Sequence, residues 1–202
     1  MSIQKELKSI IKFPLKSKVS KKLNEFKRNK DEKTKFQELC FCILVAGSNL
    51  EQTKKVWKIN KNNFLKLNSK KLQENLRECG CRFNHRATYI VDARKNKHYL
   101  KKIKNEFESR EFLAKNIKGL GYKEASHFLR NLGYKNFAIL DRHVLKILKK
   151  HQFIKEIPKS LTKKIYLKIE KKLEILAKQL KISQAELDIY LFYLDSKKLP
   201  EK

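Results

Sequence analysis

The chain has 202 residues and carries 50 Lys and Arg against 21 Asp and Glu, a formal net charge of +29. A hydrophobic fraction of 41% excludes a disordered basic tail, and no apolar run reaches the ~18 residues that a membrane span needs. So large an excess of charge points to a polyanionic partner, nucleic acid or an anionic membrane surface, although codon drift toward Lys, Ile and Asn would also raise it.

Five Gly and three Pro leave few turns, so an all-α chain is expected. Residues 2–28 are amphipathic and very basic, interrupted by Pro14. Asp31 to Ala46 reads as a helix with Phe36, Leu39, Cys40, Ile43 and Leu44 on its apolar stripe, stopped by Gly47. Asn49-Leu50-Glu51-Gln52 has the form of a capping box for a helix to about Ile59. Further helices are expected at Ser69 to Cys79 (stopped by Gly80), Asn84 to about Lys97, Tyr99 to Phe107, and Ser109 to Asn116. After a tight turn, Tyr122 to Leu132 is a helix closed by Gly133. A loop, Tyr134 to Leu140, leads to Asp141, the expected N-cap of a helix to about His151. Pro158 breaks the chain before a Lys-rich helix, Thr162 to Leu180. Ser183-Gln184-Ala185-Glu186 then opens a last helix to about Ser196.

The four cysteines, Cys40, Cys42, Cys79 and Cys81, form two C-x-C pairs and no C-x-x-C. Their spacing is poor for zinc, and buried free thiols are the ordinary outcome. No four-cysteine cluster near the C-terminus supports an iron–sulfur centre.

The stretch Ile117-Lys118-Gly119-Leu120-Gly121 carries the strongest local signal. Gly119 and Gly121 can take backbone angles closed to other residues, with Leu120 tucked into the core between two helices. Freed N–H groups then face outward at the start of the next helix, where the dipole favours an anion. That is a helix–hairpin–helix, which grips a phosphate without reading bases; an ordinary connector is the alternative. Lys123 lies in the first turn of the second hairpin helix, beside such a docked backbone. Positive neighbours and partial burial are expected to lower its pKa and leave some neutral amine as nucleophile. Asp141, 18 residues later, caps its helix and can also stabilise positive charge developing on a sugar as the base leaves.

These residues resemble a known signature. Gly119-Leu120-Gly121-Tyr122-Lys123-Glu124-Ala125 followed by Ile139-Leu140-Asp141-Arg142-His143-Val144 is similar to the helix–hairpin–helix–Gly/Pro–Asp DNA glycosylase superfamily. Tyr122 to Asn131, Asp141-Arg142-His143, Phe36 to Leu44 and Leu187 to Tyr193 resemble the type-2 8-oxoguanine DNA glycosylase/lyases. The resemblance implies one unit over 1–202 with two helical lobes and an active-site cleft between them. Lobe one is expected at about 60–150, containing the hairpin at 117–132. Lobe two is expected at about 1–59 plus 151–202.

It also implies a bifunctional enzyme that excises 8-oxoguanine from duplex DNA and cleaves the abasic site by β-elimination. Lys123 is the implied Schiff-base nucleophile and Asp141 the acidic partner, with Gly119, Gly121 and Lys118 on phosphate. The base pocket is expected at Phe83 and Phe192, with the terminal carboxylate of Lys202 near the damaged base. Ala46-Gly47-Ser48-Asn49 falls where superfamily members fill the gap left by the flipped base; Gly47 stands in place of the usual polar wedge, and Ser48 or Asn49 is the expected substitute. Neither a metal nor a cofactor is implied for the chemistry, though a monovalent cation at the hairpin is compatible. The N-terminus lacks a signal-peptide stretch, so a cytoplasmic, nucleoid-associated monomer is expected, with no membrane partner. An oxidised-pyrimidine glycosylase, a non-catalytic hairpin DNA-binding module and a basic membrane-surface protein remain alternatives.

Overall fold

A computed structural model describes residues 2–26, 31–48, 50–103 and 105–200. Among the described residues there are eleven α-helices, one 3-10 helix and no strand. None of those helices is long and apolar enough to cross a membrane. The chain divides into two compact units, Asn29–Phe128 and Met1–Arg28 with Leu129–Lys202.

The middle unit is built on α3 (Glu32–Val45), whose stretch from Glu38 to Leu44 is buried on every face. Asp31 starts it by accepting the Thr34 N–H at 2.6 Å, and Gly47 ends it in the left-handed region. α4 (Leu50–Asn60), α6 (Arg86–Lys95) and the 3-10 helix Lys97–Lys102 pack on α3, and α5 (Ser69–Glu78) packs on α6. α7 (Glu106–Asn116) and the first part of α8 (Tyr122–Asn131) complete the unit.

The terminal unit surrounds α11 (Gln184–Ser196), in which Gln184, Ala185, Leu187 to Leu191 and Leu194 are buried. A helix covered all round is a central one. Around it lie α1 (Ile3–Ile10), α2 (Leu15–Phe26), α9 (Arg142–Lys150) and α10 (Lys163–Leu180). Ser183 and Glu186 form the expected capping box, each bonding the other's backbone N–H.

Two differences from the sequence reading have local causes. The helix expected over 99–107 is divided: a 3-10 turn ends at Lys102, and Asn105 caps a new helix by accepting the N–H groups of Phe107 and Glu108. Asn105 is a stronger helix start than Ser109, because Glu106 and Glu108 then fall in the positive first turn. The unit bounds also differ from the expected lobes. Helices α3 and α4 group with the middle of the chain because α3 supplies its core, and α9 groups with the termini because it packs on α11. Asn49, the expected cap of α4, lies outside the described residues.

Candidate active site

The hairpin is built as its sequence requires. Leu120 is 4% exposed between α7 and α8, and its N–H donates to the Ile117 carbonyl at 3.1 Å. Gly119 has φ +86°, and a Cβ there would stand 2.8 Å from the Tyr89 ring and 3.4 Å from Ile43. Gly119→Ala therefore combines left-handed strain with overpacking and is expected to cost about 2–4 kcal/mol. Urea denaturation checks this; a loss below about 1 kcal/mol would mean that the ring moves aside freely. Gly121 departs from expectation: its φ lies outside the left-handed region. Its N–H, expected to face outward, donates to Glu124 Oε2 at 3.3 Å. Lys118 is an exposed end of the turn, 3.5 Å from Asp92.

Lys123 stands in the first turn of α8 with its side chain 26% exposed. Its Nζ donates to Glu124 Oε1 at 3.0 Å. The neighbour is thus a carboxylate, where the sequence reading expected positive charge. Arg86 sits close enough to feel Glu124, while burial lowers its pKa from the ordinary guanidinium value. The Arg86 guanidinium donates to the carbonyls of Leu44 and Ala46 and to Ser48 Oγ, tying down the turn after α3. It also lies 4.4 Å from the centre of the Phe83 ring, a cation–π stack on a half-buried aromatic. Ser48, one of the two wedge candidates, is therefore held from below by a buried arginine. Asn49, the other, lies outside the described residues.

Asp141 belongs to the terminal unit. Its Oδ1 accepts the N–H groups of His143 and Val144, both at 2.9 Å, so the expected N-cap is present. Oδ2 accepts no hydrogen bond from the described residues. The segment leading to Asp141 is pinned along its length to α10 and α11. Lys135 O accepts the Ala185 N–H at 3.1 Å, Asn136 O accepts Gln184 Nε2 at 3.0 Å, and Ala138 O accepts the Tyr166 hydroxyl at 2.6 Å. The Ile139 N–H donates to Asp188 Oδ1 at 3.1 Å. Asp188 Oδ2 in turn accepts Arg130 Nη1 at 2.7 Å, both side chains being almost fully buried.

The sequence reading missed this pair. A lone Asp in the apolar run Leu187 to Leu191, and an Arg on the buried face of α8, were the available signals. Burial pushes the Asp188 carboxyl up to about 7 and Asp141's charge adds to the rise, against the pull of Arg130 and the Ile139 N–H. From the ordinary 3.8 up to about 7 the folded chain therefore holds a proton that the unfolded chain has released. This stabilising contribution is whole at the acid end and lost as pH rises through 7. Asp188→Asn has no such titration. Its melting temperature relative to the parent is expected to move in the variant's favour on raising pH from 4 to 7; a difference that stays flat would contradict the raised pKa.

Phe192 is half-buried, with the His143 ring edge-on at 4.8 Å and His143 Nδ1 2.6 Å from Asp195 Oδ2. Lys202 lies outside the described residues. Of the expected site residues, Lys118, Gly119, Gly121, Lys123 and Phe83 belong to the middle unit, and Asp141 and Phe192 to the terminal one. Cys40, Cys42 and Cys81 are buried free thiols, and burial raises Cys40 well above the ordinary thiol value. Among the described residues no group of three or more His, Cys, Asp or Glu could hold a metal ion.

Two helices joined by a Gly-Leu-Gly turn, with a lysine and its carboxylate in the first turn of the second, define a helix–hairpin–helix protein. The chain belongs to the 8-oxoguanine DNA glycosylase family, whose helix–hairpin–helix model matches residues 19–182. It is 42% identical to the 8-oxoguanine DNA glycosylase/AP lyase of Methanocaldococcus jannaschii, over 98% of this chain and 99% of that one. It is 44% identical to the protein of the same name from Thermotoga maritima, over 87% and 88%. The crystal structure of the Methanocaldococcus jannaschii glycosylase/lyase with a 15mer DNA containing 8-oxoguanine matches with a TM-score of 0.92 at 41% identity, covering both chains completely.

Proposed function

We propose that this chain is a DNA repair enzyme that removes 8-oxoguanine from duplex DNA and then cuts the strand at the abasic site. The observation that carries this is the end-to-end match with relatives named 8-oxoguanine DNA glycosylase/AP lyase. In the reading proposed here Lys123, as the free amine, attacks C1′ of an extruded nucleotide. The new N–C1′ bond forms as the glycosidic bond breaks, and the base leaves with its electron pair and takes up a proton. The sugar ring opens to an imine. Loss of a C2′ proton then expels the 3′ phosphate, because the iminium nitrogen draws off the electrons that this C–H bond releases. Asp141 carries negative charge toward the sugar as positive charge grows there.

The +29 charge and the hairpin suit a chain that works on chromosomal DNA through phosphate contacts. Phe83 and Phe192 are proposed as stacking faces for the damaged base, with Lys202 beside it. The test is borohydride trapping on an 8-oxoguanine duplex. A covalent protein–DNA adduct is expected, together with strand cleavage. Equal trapping on a thymine glycol duplex would point instead to oxidised pyrimidines, and binding without an adduct to a non-catalytic module.

A further inference from the structure

Glu124 has no role in the reaction as derived so far, yet its carboxylate is one of the most constrained groups around the hairpin. Its side chain is 14% exposed. Its two oxygens do different things. Oε2 accepts the Gly121 N–H at 3.3 Å, which fixes the carboxylate to the backbone of the turn. Oε1 accepts Lys123 Nζ at 3.0 Å. The buried Arg86, anchored on the end of α3 by three acceptors, adds a positive charge whose field acts on the same carboxylate.

A lysine side chain has four rotatable bonds, and an amine meant to meet one carbon atom gains greatly from losing that freedom beforehand. The neighbouring residue on a helix cannot normally reach the same point as its predecessor, since successive side chains diverge by about 100° around the axis. Here the contact is made because the Glu124 carboxylate reaches back to the N–H of Gly121, the residue before α8, as an acidic residue at the third helix position does, and so comes within reach of Lys123 Nζ. The pair joins adjacent residues of one turn and ties no distant parts of the chain together, so the value of the arrangement lies in where it leaves the amine.

We propose that Glu124 is a positioning residue that aims the Lys123 amine from the rigid hairpin turn. This rests on the reading of Lys123 as the nucleophile. Glu124→Gln is the discriminating variant. A carboxylate offers one oxygen to Gly121 and the other to Lys123, whereas an amide keeps one oxygen and turns its NH₂, a donor, toward the other N–H group. Glu124→Asp keeps the charge and draws the carboxylate back by one methylene.

Two measurements on the full chain test this. The first is the acetylation rate of Lys123 in the absence of DNA, read by peptide mass spectrometry and normalised to Lys178, which pairs with Glu174. It is expected to rise about fivefold or more in both variants as the amine is set free. The second is excision under single-turnover conditions with an 8-oxoguanine duplex. The rate at saturation is expected to fall about 10- to 100-fold, the range that misplacement of a reacting group produces, while the Kd for the duplex stays within about threefold. Should Glu124→Gln not fold, Glu124→Asp answers the same question with charge retained. Unchanged acetylation, or a normal saturating rate despite faster acetylation, overturns the positioning role. An adduct that persists in Lys123→Gln overturns instead the assignment of the nucleophile, on which the proposal rests.

Discussion

Lys123→Gln is expected to abolish the borohydride-trapped adduct and to lower single-turnover release of 8-oxoguanine on the order of 10³-fold or more. The amide cannot form an imine, so both base removal through the covalent route and β-elimination are lost together. Binding should survive. The variant gives up one charge from a chain of net +29, and affinity for a polyanion depends on the whole set of phosphate contacts. The amide nitrogen also remains able to donate to Glu124 Oε1, so the start of α8 is kept. Fluorescence anisotropy on the same duplex is expected to give a Kd within about threefold of the parent, and circular dichroism an unchanged melt. Residual adduct at the parent level would show that another of the 42 lysines is the nucleophile. Lost excision with lost binding would mean that Lys123 is a phosphate contact.

The parts of this molecule that were legible in the sequence are those set by short-range chemistry. Gly119 announced a turn because glycine takes the left-handed region without strain, and φ +86° is what the structure has. Asp31, Asp141 and Ser183 announced helix starts because each carries an oxygen that reaches an N–H two or three residues on. Asn105 was passed over because several helix starts compete within five residues there, and only packing decides among them. Asp188 and Arg130 were illegible for a different reason. Their ion pair joins positions 58 apart, and nothing in either neighbourhood specifies the other. The same holds for Arg86, which reaches back 38 to 42 residues to hold the turn after α3. Glu124 lies inside the Gly119 to Ala125 motif at capping-box spacing from Gly121, but its contact with the adjacent Lys123 is one that helix spacing does not predict. The abundance of lysine suggests cations around Lys123, whereas the group at hydrogen-bond distance is the Glu124 carboxylate.

Asp141→Asn separates the helix cap from the electrostatic role proposed for this residue. As a helix cap, Asn is as good as Asp, because its amide oxygen can accept the His143 and Val144 N–H groups just as Oδ1 does now. The fold should therefore change by less than about 1 kcal/mol, part of it from the lost attraction of a negative charge to the positive end of α9. The pinning of residues 135–139 is made by α10 and α11 and does not pass through Asp141, so the loop that presents the side chain stays in place. What the substitution removes is the charge, and Oδ2 is the oxygen whose replacement by an NH₂ group matters. An amide dipole stabilises a cation-like sugar far less than a carboxylate does, and the NH₂ would point positive charge at it. Excision is accordingly expected to fall about 10²- to 10³-fold at saturating duplex, a loss typical of removing one preorganised electrostatic group. The Kd for the 8-oxoguanine duplex should hold or tighten slightly, since the variant has one fewer negative charge near DNA. Strand cleavage at an abasic duplex prepared in advance is expected to suffer less, because no glycosidic bond has to break. Stability, binding, excision and cleavage together decide the matter: parent-like excision with a parent-like melt would leave Asp141 a cap and nothing more.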